Sequence, residues 1–272
     1  MTRLIDVWNL DTFDASLMRE LQNERQLLVD YFTTDRANYL AREASDRRGP
    51  PPSNPFASAF YRFAEGLMPA MEIRTIRAWH YTRMTNSEVE SARQRGLYPA
   101  TLATLRARLD DLVAAADLTA EEASAVFEAS PFQSDRLGSR SGKFWMTSHP
   151  QRIDDSGVTS LLAHWGGESA YFNHAEGELL DKLSIIGVPR VLEIAVPVAL
   201  TPDAYSAAKA VIHLYARSLD CHADWGGFDL YAHARLGPHA LLRVHSAGER
   251  DFARLARGYP VDFRDQYGAE GG

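Results

Sequence analysis

The stretch from Arg74 to Leu97 reads RTIRAWHYTRMTNSEVESARQRGL and carries the clearest secondary-structure signals in the chain. Its first part, Arg74 to Tyr81, is rich in β-branched and aromatic residues and predicts a β-strand. Thr85 follows, and Glu88 stands three residues further on, which predicts a capping box at the start of a helix. Gly96 is a suitable residue to end that helix. The stretch therefore predicts a strand, a capped helix and a glycine turn in immediate succession.

Helical patterns also precede this stretch. Residues 15–43 carry apolar side chains three and four positions apart, with Asp14 before them as an N-cap, and predict one long amphipathic helix. The segment 46–55 is rich in proline and predicts a linker. Residues 56–71 are rich in aromatic side chains and predict a second helix. We therefore expect a helical N-terminal region over residues 1–70.

The C-terminal side mixes helices and strands without regular β-α-β repetition. Helices are predicted over residues 102–116, after a second capping box at Thr119, over 158–164 and over 202–217. Strands are predicted over residues 143–147, 191–198, 228–235 and 240–245, the last two joined by Leu-Gly-Pro as a hairpin or a sheet corner. This mixture predicts an α+β fold for a second domain, residues 71–272.

The composition limits the class of protein. Of the 272 residues, 45% are hydrophobic and 24% charged, and the formal net charge is -7 at pH 7. These values are typical of a globular protein, and the negative charge argues against broad electrostatic binding to nucleic acid. The single cysteine, Cys221, cannot form a disulfide within the chain. Because no apolar run reaches the length of a membrane span, we expect a soluble cytoplasmic protein with no membrane partner.

The segment Ala-Trp-His-Tyr-Thr-Arg at residues 78–83 and the capped helix after it resemble the first motif of the ADP-ribosyltransferase superfamily, in the group of poly(ADP-ribose) polymerases and diphtheria toxin. The resemblance implies an NAD-binding domain with a split β-sheet core and surrounding helices. By this resemblance His80 bonds a ribose hydroxyl, the backbone of Tyr81 pairs with the nicotinamide amide, and Thr82 adds a further hydrogen bond. Alternatively, His80 is a partly buried strand residue bonded to a backbone carbonyl.

A second segment, Gly-Lys-Phe-Trp-Met-Thr-Ser at residues 142–148, resembles the family's Gly-x-x-Tyr-Phe strand, whose aromatic residue stacks on the nicotinamide ring. Phe144 or Trp145 takes the place of that tyrosine here, and either flat ring can stack. Trp165 would be the second aromatic wall of the pocket. The alternative is that the Phe-Trp pair belongs to the hydrophobic core.

The catalytic acid is the position at which this chain departs from the family. The family has a glutamate at the start of the last strand, where this chain has His239. A histidine cannot stabilise an oxocarbenium-like ribose as a carboxylate does. Two Trp-Gly-Gly segments are each followed by a carboxylate, and we take Glu168 as the first candidate for the acid and Asp229 as the second. Either carboxylate could instead cap a turn or face solvent.

The resemblance therefore implies an NAD-dependent mono-ADP-ribosyltransferase-like enzyme, a glycosyltransferase that passes ADP-ribose to a macromolecular acceptor, either protein or nucleic acid. A bacterial toxin or a defence effector would fit this activity. Two alternatives are a non-catalytic module that binds NAD or ADP-ribose and an NAD glycohydrolase. The C-terminal histidines lack the spacing of a metal site, so no metal is expected. Hydrolase, NTPase and dehydrogenase motifs are absent from the sequence.

Overall fold

The computed structural model describes residues 4–44, 52–134, 140–174, 177–224 and 226–255. Most of the linker predicted over residues 46–55 lies outside the described residues, and so does Trp225 of the second Trp-Gly-Gly segment. The chain forms two compact units. The first consists of Met1–Arg77 and Pro197–Phe228, and the second consists of Ala78–Val196 and Asp229–Gly272.

The described residues form eleven α-helices and six strands, which confirms the α+β prediction. The helices are α1 (Ala15–Asn23), α2 (Arg25–Ala44), α3 (Ala57–Glu72), α4 (Asn86–Arg95), α5 (Leu102–Ala114), α6 (Ala120–Ala129), α7 (Ser156–Ala163), α8 (Glu168–Tyr171), α9 (Glu178–Ile185), α10 (Ala204–Arg217) and α11 (Arg250–Leu255). The strands are β1 (Leu4–Ile5), β2 (Thr75–Met84), β3 (Phe144–Thr147), β4 (Val188–Pro197), β5 (Asp229–Ala232) and β6 (Leu241–Ser246). None of these helices is both long and apolar enough to cross a bilayer.

The N-terminal helical segment is two helices, so the prediction of one long helix is wrong. The chain leaves helical geometry at Glu24, between α1 and α2. The apolar spacing of Leu17, Leu21 and Leu28 continues across this break, and periodicity alone therefore does not reveal it. Asp14 caps α1 as predicted, because its carboxylate accepts hydrogen bonds from the first-turn backbone N–H groups. In the same unit α10 packs against α3 and α2.

The six strands form one sheet in the order β5-β3-β2-β4-β6, with β1 pairing in parallel with the start of β2. The pairs β2–β3, β3–β5 and β4–β6 are antiparallel. The two last strands therefore lie at opposite edges of the sheet, and the prediction of a hairpin between them is wrong. In the connection between them, Leu236 pairs with Leu97 in an isolated antiparallel bridge.

The capping box that follows β2 is present as predicted. The Thr85 side chain accepts from the Glu88 backbone N–H, and the Glu88 carboxylate accepts from the Thr85 backbone N–H. The helix ends at Gly96, which has φ +83°. A Cβ at this position would lie 2.0 Å from the carbonyl oxygen of Leu236, so the close backbone approach requires glycine. Thr119 forms the second predicted capping box, with Glu122.

A hydrophobic cluster in the second unit joins α5, α6, α8 and α9. Leu109, Val126, Trp165 and Leu183 are its fully buried members. Burial of this apolar surface is the main source of stability for these short helices, since isolated helices of such length are marginal in water.

Candidate functional site

His80 lies in β2, next to the strand that carries the predicted aromatic pair. Its imidazole ring is in contact with the Phe144 ring, with centroids 4.5 Å apart. Its Nδ1–H donates a hydrogen bond to the Trp145 carbonyl at 2.8 Å. This tautomer leaves Nε2 as a hydrogen-bond acceptor, and among the described residues Nε2 has no partner.

The electrostatic environment keeps His80 neutral. Burial lowers the pKa of His80 to about 4, although the hydrogen bond to the Trp145 carbonyl opposes the change. The charge of Arg108 adds to the lowering. At neutral pH the imidazole is therefore uncharged and can accept a hydroxyl hydrogen bond.

The two residues of the aromatic pair point to opposite faces of the sheet. Neighbouring residues of a strand alternate between its faces, so Phe144 shares a face with His80 and Trp145 does not. Trp145 packs on Tyr231 of β5, with ring centroids 4.7 Å apart. Of the two residues predicted to stack on nicotinamide, the structure brings only Phe144 together with His80.

Tyr81 and Thr82 follow His80 toward the end of β2, and both are buried. The Tyr81 hydroxyl donates to the Gln151 carbonyl at 3.2 Å and accepts from the Gln151 backbone N–H at 2.5 Å. The Thr82 hydroxyl has a long contact of 3.5 Å with the Arg83 carbonyl, which it can exchange for a better partner. The Tyr81 side chain therefore anchors the strand.

Trp165 does not fit its predicted role as a pocket wall. Its side chain has no exposed surface and belongs to the hydrophobic cluster of the second unit. Its indole N–H donates to Oε2 of Glu88 at 3.0 Å, and the Arg108 guanidinium lies over its ring. Because protein atoms cover both its faces, the ring presents no surface to a ligand.

Both carboxylate candidates for the acid lie near Arg140. Glu168 begins α8, directly after two glycines with positive φ, and forms an ion pair of 2.7 Å with Arg140. Asp229 begins β5 opposite Thr147 of β3. Desolvation by neighbouring protein atoms raises the pKa of Asp229, and the charge of Arg140 opposes this. Arg140 therefore forms an ion pair with Glu168 and acts on Asp229 through its charge.

Two cationic side chains near the aromatic pair, Lys143 and Arg140, are not among the predicted site residues. The Lys143 ammonium lies 4.4 Å from the Tyr231 ring centroid and 5.5 Å from that of Trp145. The Arg140 guanidinium lies 5.9 Å from the Trp145 ring centroid. All three distances are within the range of cation–π attraction. The sequence signal for them is the position of Arg140 and Lys143 just before the Phe-Trp pair.

His239 is separated from the other candidates by the order of the strands. It lies exposed in a short 3-10 turn that leads into β6. Two strands, β4 and β2, stand between β6 and β3. The sheet therefore keeps the residue in the predicted glutamate position apart from Phe144. Asp229 starts a strand that pairs with β3 directly, but it lies opposite Thr147 and so shares the face of Trp145 rather than that of Phe144.

Within the described ranges, no group of three or more His, Cys, Asp or Glu side chains is arranged to hold a metal ion. Comparison of the chain with known protein families, curated proteins and solved structures gave no match.

Proposed function

We propose that this chain is an ADP-ribosyltransferase-like enzyme that binds NAD at His80 and Phe144 and transfers ADP-ribose to a macromolecular acceptor. The same proposal includes a split-sheet ADP-ribosyltransferase-like core in the second unit. The observation that carries it is the ring contact of 4.5 Å between His80 and Phe144, which joins the two motifs of the resemblance at one place on the sheet.

The protonation of His80 supports a role in ribose binding. A neutral imidazole with Nδ1–H bound to a carbonyl has a fixed orientation, and its Nε2 accepts. A ribose hydroxyl can donate to that nitrogen while the nicotinamide ring stacks on Phe144. The two contacts suit a ligand that joins a flat ring to a hydroxyl-bearing sugar, as the nicotinamide ribose of NAD does.

We place Asp229 first as the acid and Glu168 second. The charge of Glu168 is already compensated by Arg140 at 2.7 Å. Asp229 is exposed and forms no ion pair among the described residues, while desolvation by neighbouring protein atoms raises its pKa. Such a carboxylate gains most when a positive charge develops beside it. Asp229 begins the strand next to β3, but its partner there is Thr147, so its side chain shares a face with Trp145 and must reach the ribose around the end of β3.

The proposed reaction breaks the bond between nicotinamide nitrogen and ribose C1′, and the bonding electrons leave with neutral nicotinamide. The ribose becomes oxocarbenium-like, and the carboxylate stabilises it electrostatically. A nucleophilic atom of the acceptor then forms the new bond to C1′ and loses its proton to solvent. Water in place of the acceptor would make the chain an NAD glycohydrolase.

The test is incubation of the purified chain with NAD labelled on its adenylate part. We expect release of nicotinamide and, in a lysate, transfer of the label to a macromolecule. Nicotinamide release with no labelled macromolecule would identify a glycohydrolase. No release, in protein that binds NAD, would contradict the proposed reaction.

A second candidate function is a non-catalytic module that binds NAD or ADP-ribose. The observation that favours it is His239, which stands where the resemblance implies a glutamate. This module would bind ADP-ribose and NAD with similar affinity, because the nicotinamide would not need to be activated. Calorimetry with both ligands distinguishes the module from an enzyme that turns NAD over.

A further inference from the structure

Arg108 of α5 is held from two sides. Its Nε donates to Oε1 of Glu88 at 2.7 Å, and its Cζ lies 4.6 Å from the centroid of the Trp165 ring. The indole of Trp165 donates to the other oxygen of the same carboxylate at 3.0 Å. Glu88 is itself fixed by the capping box of α4. The three side chains therefore brace one another.

This bracing uses one of the five N–H donors of the guanidinium. Among the described residues, Nη1 and Nη2 of Arg108 have no hydrogen-bond partner, and 34% of the side-chain surface is exposed. The remaining donors form a planar fork that matches two oxygens of a phosphate group. Since the side chain is already held, little conformational entropy is lost when an anion binds.

The charge of Glu88 determines how Arg108 can recognise an anion. Burial alone would raise the pKa of Glu88, but the charge of Arg108 and the hydrogen bonds that the carboxylate accepts bring it below its usual value. Glu88 is therefore ionised at neutral pH, and the pair has little net charge. An anion would be recognised by the geometry of the donors rather than by a strong positive potential.

The charge of Arg108 also acts on the proposed NAD site. Its charge contributes to the lowered pKa of His80. A ligand that bonds His80 through a ribose hydroxyl therefore has a guanidinium within electrostatic range of the group attached to that ribose.

We propose that Arg108 binds a diphosphate group through its two terminal nitrogens. That the diphosphate belongs to NAD or ADP-ribose rests on the proposed function. The anion site itself rests on the brace of Arg108, Glu88 and Trp165, and it is measured without turnover of NAD.

The experiment is calorimetry with three ligands, inorganic pyrophosphate, ADP-ribose and adenosine, on the full chain. We expect Arg108→Gln to weaken binding of pyrophosphate and of ADP-ribose by about tenfold or more, because charge-assisted hydrogen bonds are lost. Adenosine binding should not change. Arg106→Gln is the matched control. Arg106 lies on the same helix with its guanidinium over Phe127, and its substitution removes the same charge.

Equal weakening by the two variants would show a general charge effect and overturn the proposal. Arg108→Lys covers the case in which Arg108→Gln fails to fold, because lysine keeps a cation for Glu88 but lacks the fork. We expect folded Arg108→Lys protein with reduced affinity for pyrophosphate, and wild-type affinity would contradict the proposal. A wild-type chain that does not bind pyrophosphate also overturns it, even if NAD is cleaved. Pyrophosphate binding without NAD cleavage would instead contradict only the proposed function.

Discussion

The rings of His80 and Phe144 lie with their centroids 4.5 Å apart on two strands that are neighbours in the sheet. Trp145, one residue further along, packs on Tyr231 instead. The alternation of side chains in a strand thus separates two adjacent aromatic residues into different surroundings.

Replacing Phe144 by leucine should weaken NAD binding by about threefold to tenfold, because aromatic stacking contributes roughly 0.5–1.5 kcal/mol beyond the buried area. Trp145→Leu is the matched control, since it removes the neighbouring ring from the other face. We expect its NAD affinity to stay near that of the wild type in calorimetry. Weakening by Trp145→Leu alone would place the ligand on the opposite face and remove His80 from the site.

Acidification tests the neutral state of His80. Its pKa is about 4 in the folded chain against 6.5 for an unperturbed histidine, so the unfolded chain binds the proton more readily between these values. The stability associated with neutral His80 is therefore present in full above the unfolded pKa, and it is lost as pH falls toward the folded pKa. Urea unfolding at about pH 7 and about pH 5 should show a smaller difference for His80→Gln than for the wild type. The same difference in both proteins would be evidence against a buried neutral imidazole.

Measurement of nicotinamide release by the variants Asp229→Asn, Glu168→Gln and His239→Gln distinguishes the three candidates for the acid. We expect Asp229→Asn to lower the rate by about 10² to 10³, which is typical of losing one preorganised electrostatic contact. NAD affinity should change far less, because the ground-state ribose gains little from the carboxylate charge. Glu168→Gln breaks the ion pair with Arg140 and should have a smaller effect, whereas exposed His239 should tolerate glutamine.

Other rankings of these variants have definite meanings. If only Glu168→Gln is crippled, Glu168 is the acid and Arg140 is its positioning partner. If only His239→Gln is inactive, a histidine on β6 performs the role of the glutamate, and the charge assignment in the proposed mechanism is wrong.

Gly96→Ala should destabilise the second unit by more than the roughly 1 kcal/mol expected for a positive φ alone, because the new Cβ would lie 2.0 Å from the Leu236 carbonyl oxygen. Gly142→Ala is the matched control. Gly142 has φ +74°, and a Cβ there would meet nothing within 4 Å. Urea unfolding of the two variants measures the difference. Equal losses would mean that the backbone moves aside at Gly96 without cost.

Local features of the chain were predictable from the sequence because they depend on residues close together in it. The capping boxes at Thr85 and Thr119, the glycine that ends α4 and the N-cap at Asp14 each join groups within a few residues. The α+β class follows equally from the mixture of periodicities along the chain. The contact between His80 and the Phe-Trp strand was expected only through the family resemblance, and its geometry distinguishes Phe144 from Trp145.

Other features were decided by tertiary structure, because they join residues that are distant in the chain. The sheet places β5 and β6 at opposite edges, which separates Asp229 from His239 although they are only ten positions apart in the chain. Packing of four helices buries Trp165, and a residue pattern cannot distinguish such a core tryptophan from one in a pocket. The ion pairs of Arg140 with Glu168 and of Arg108 with Glu88 likewise depend on how the segments that carry these residues pack together. Local patterns predicted most of the helices and strands and the residue types available for chemistry, and long-range packing decided which of them meet, because burial and strand order act between segments with no local signal for each other.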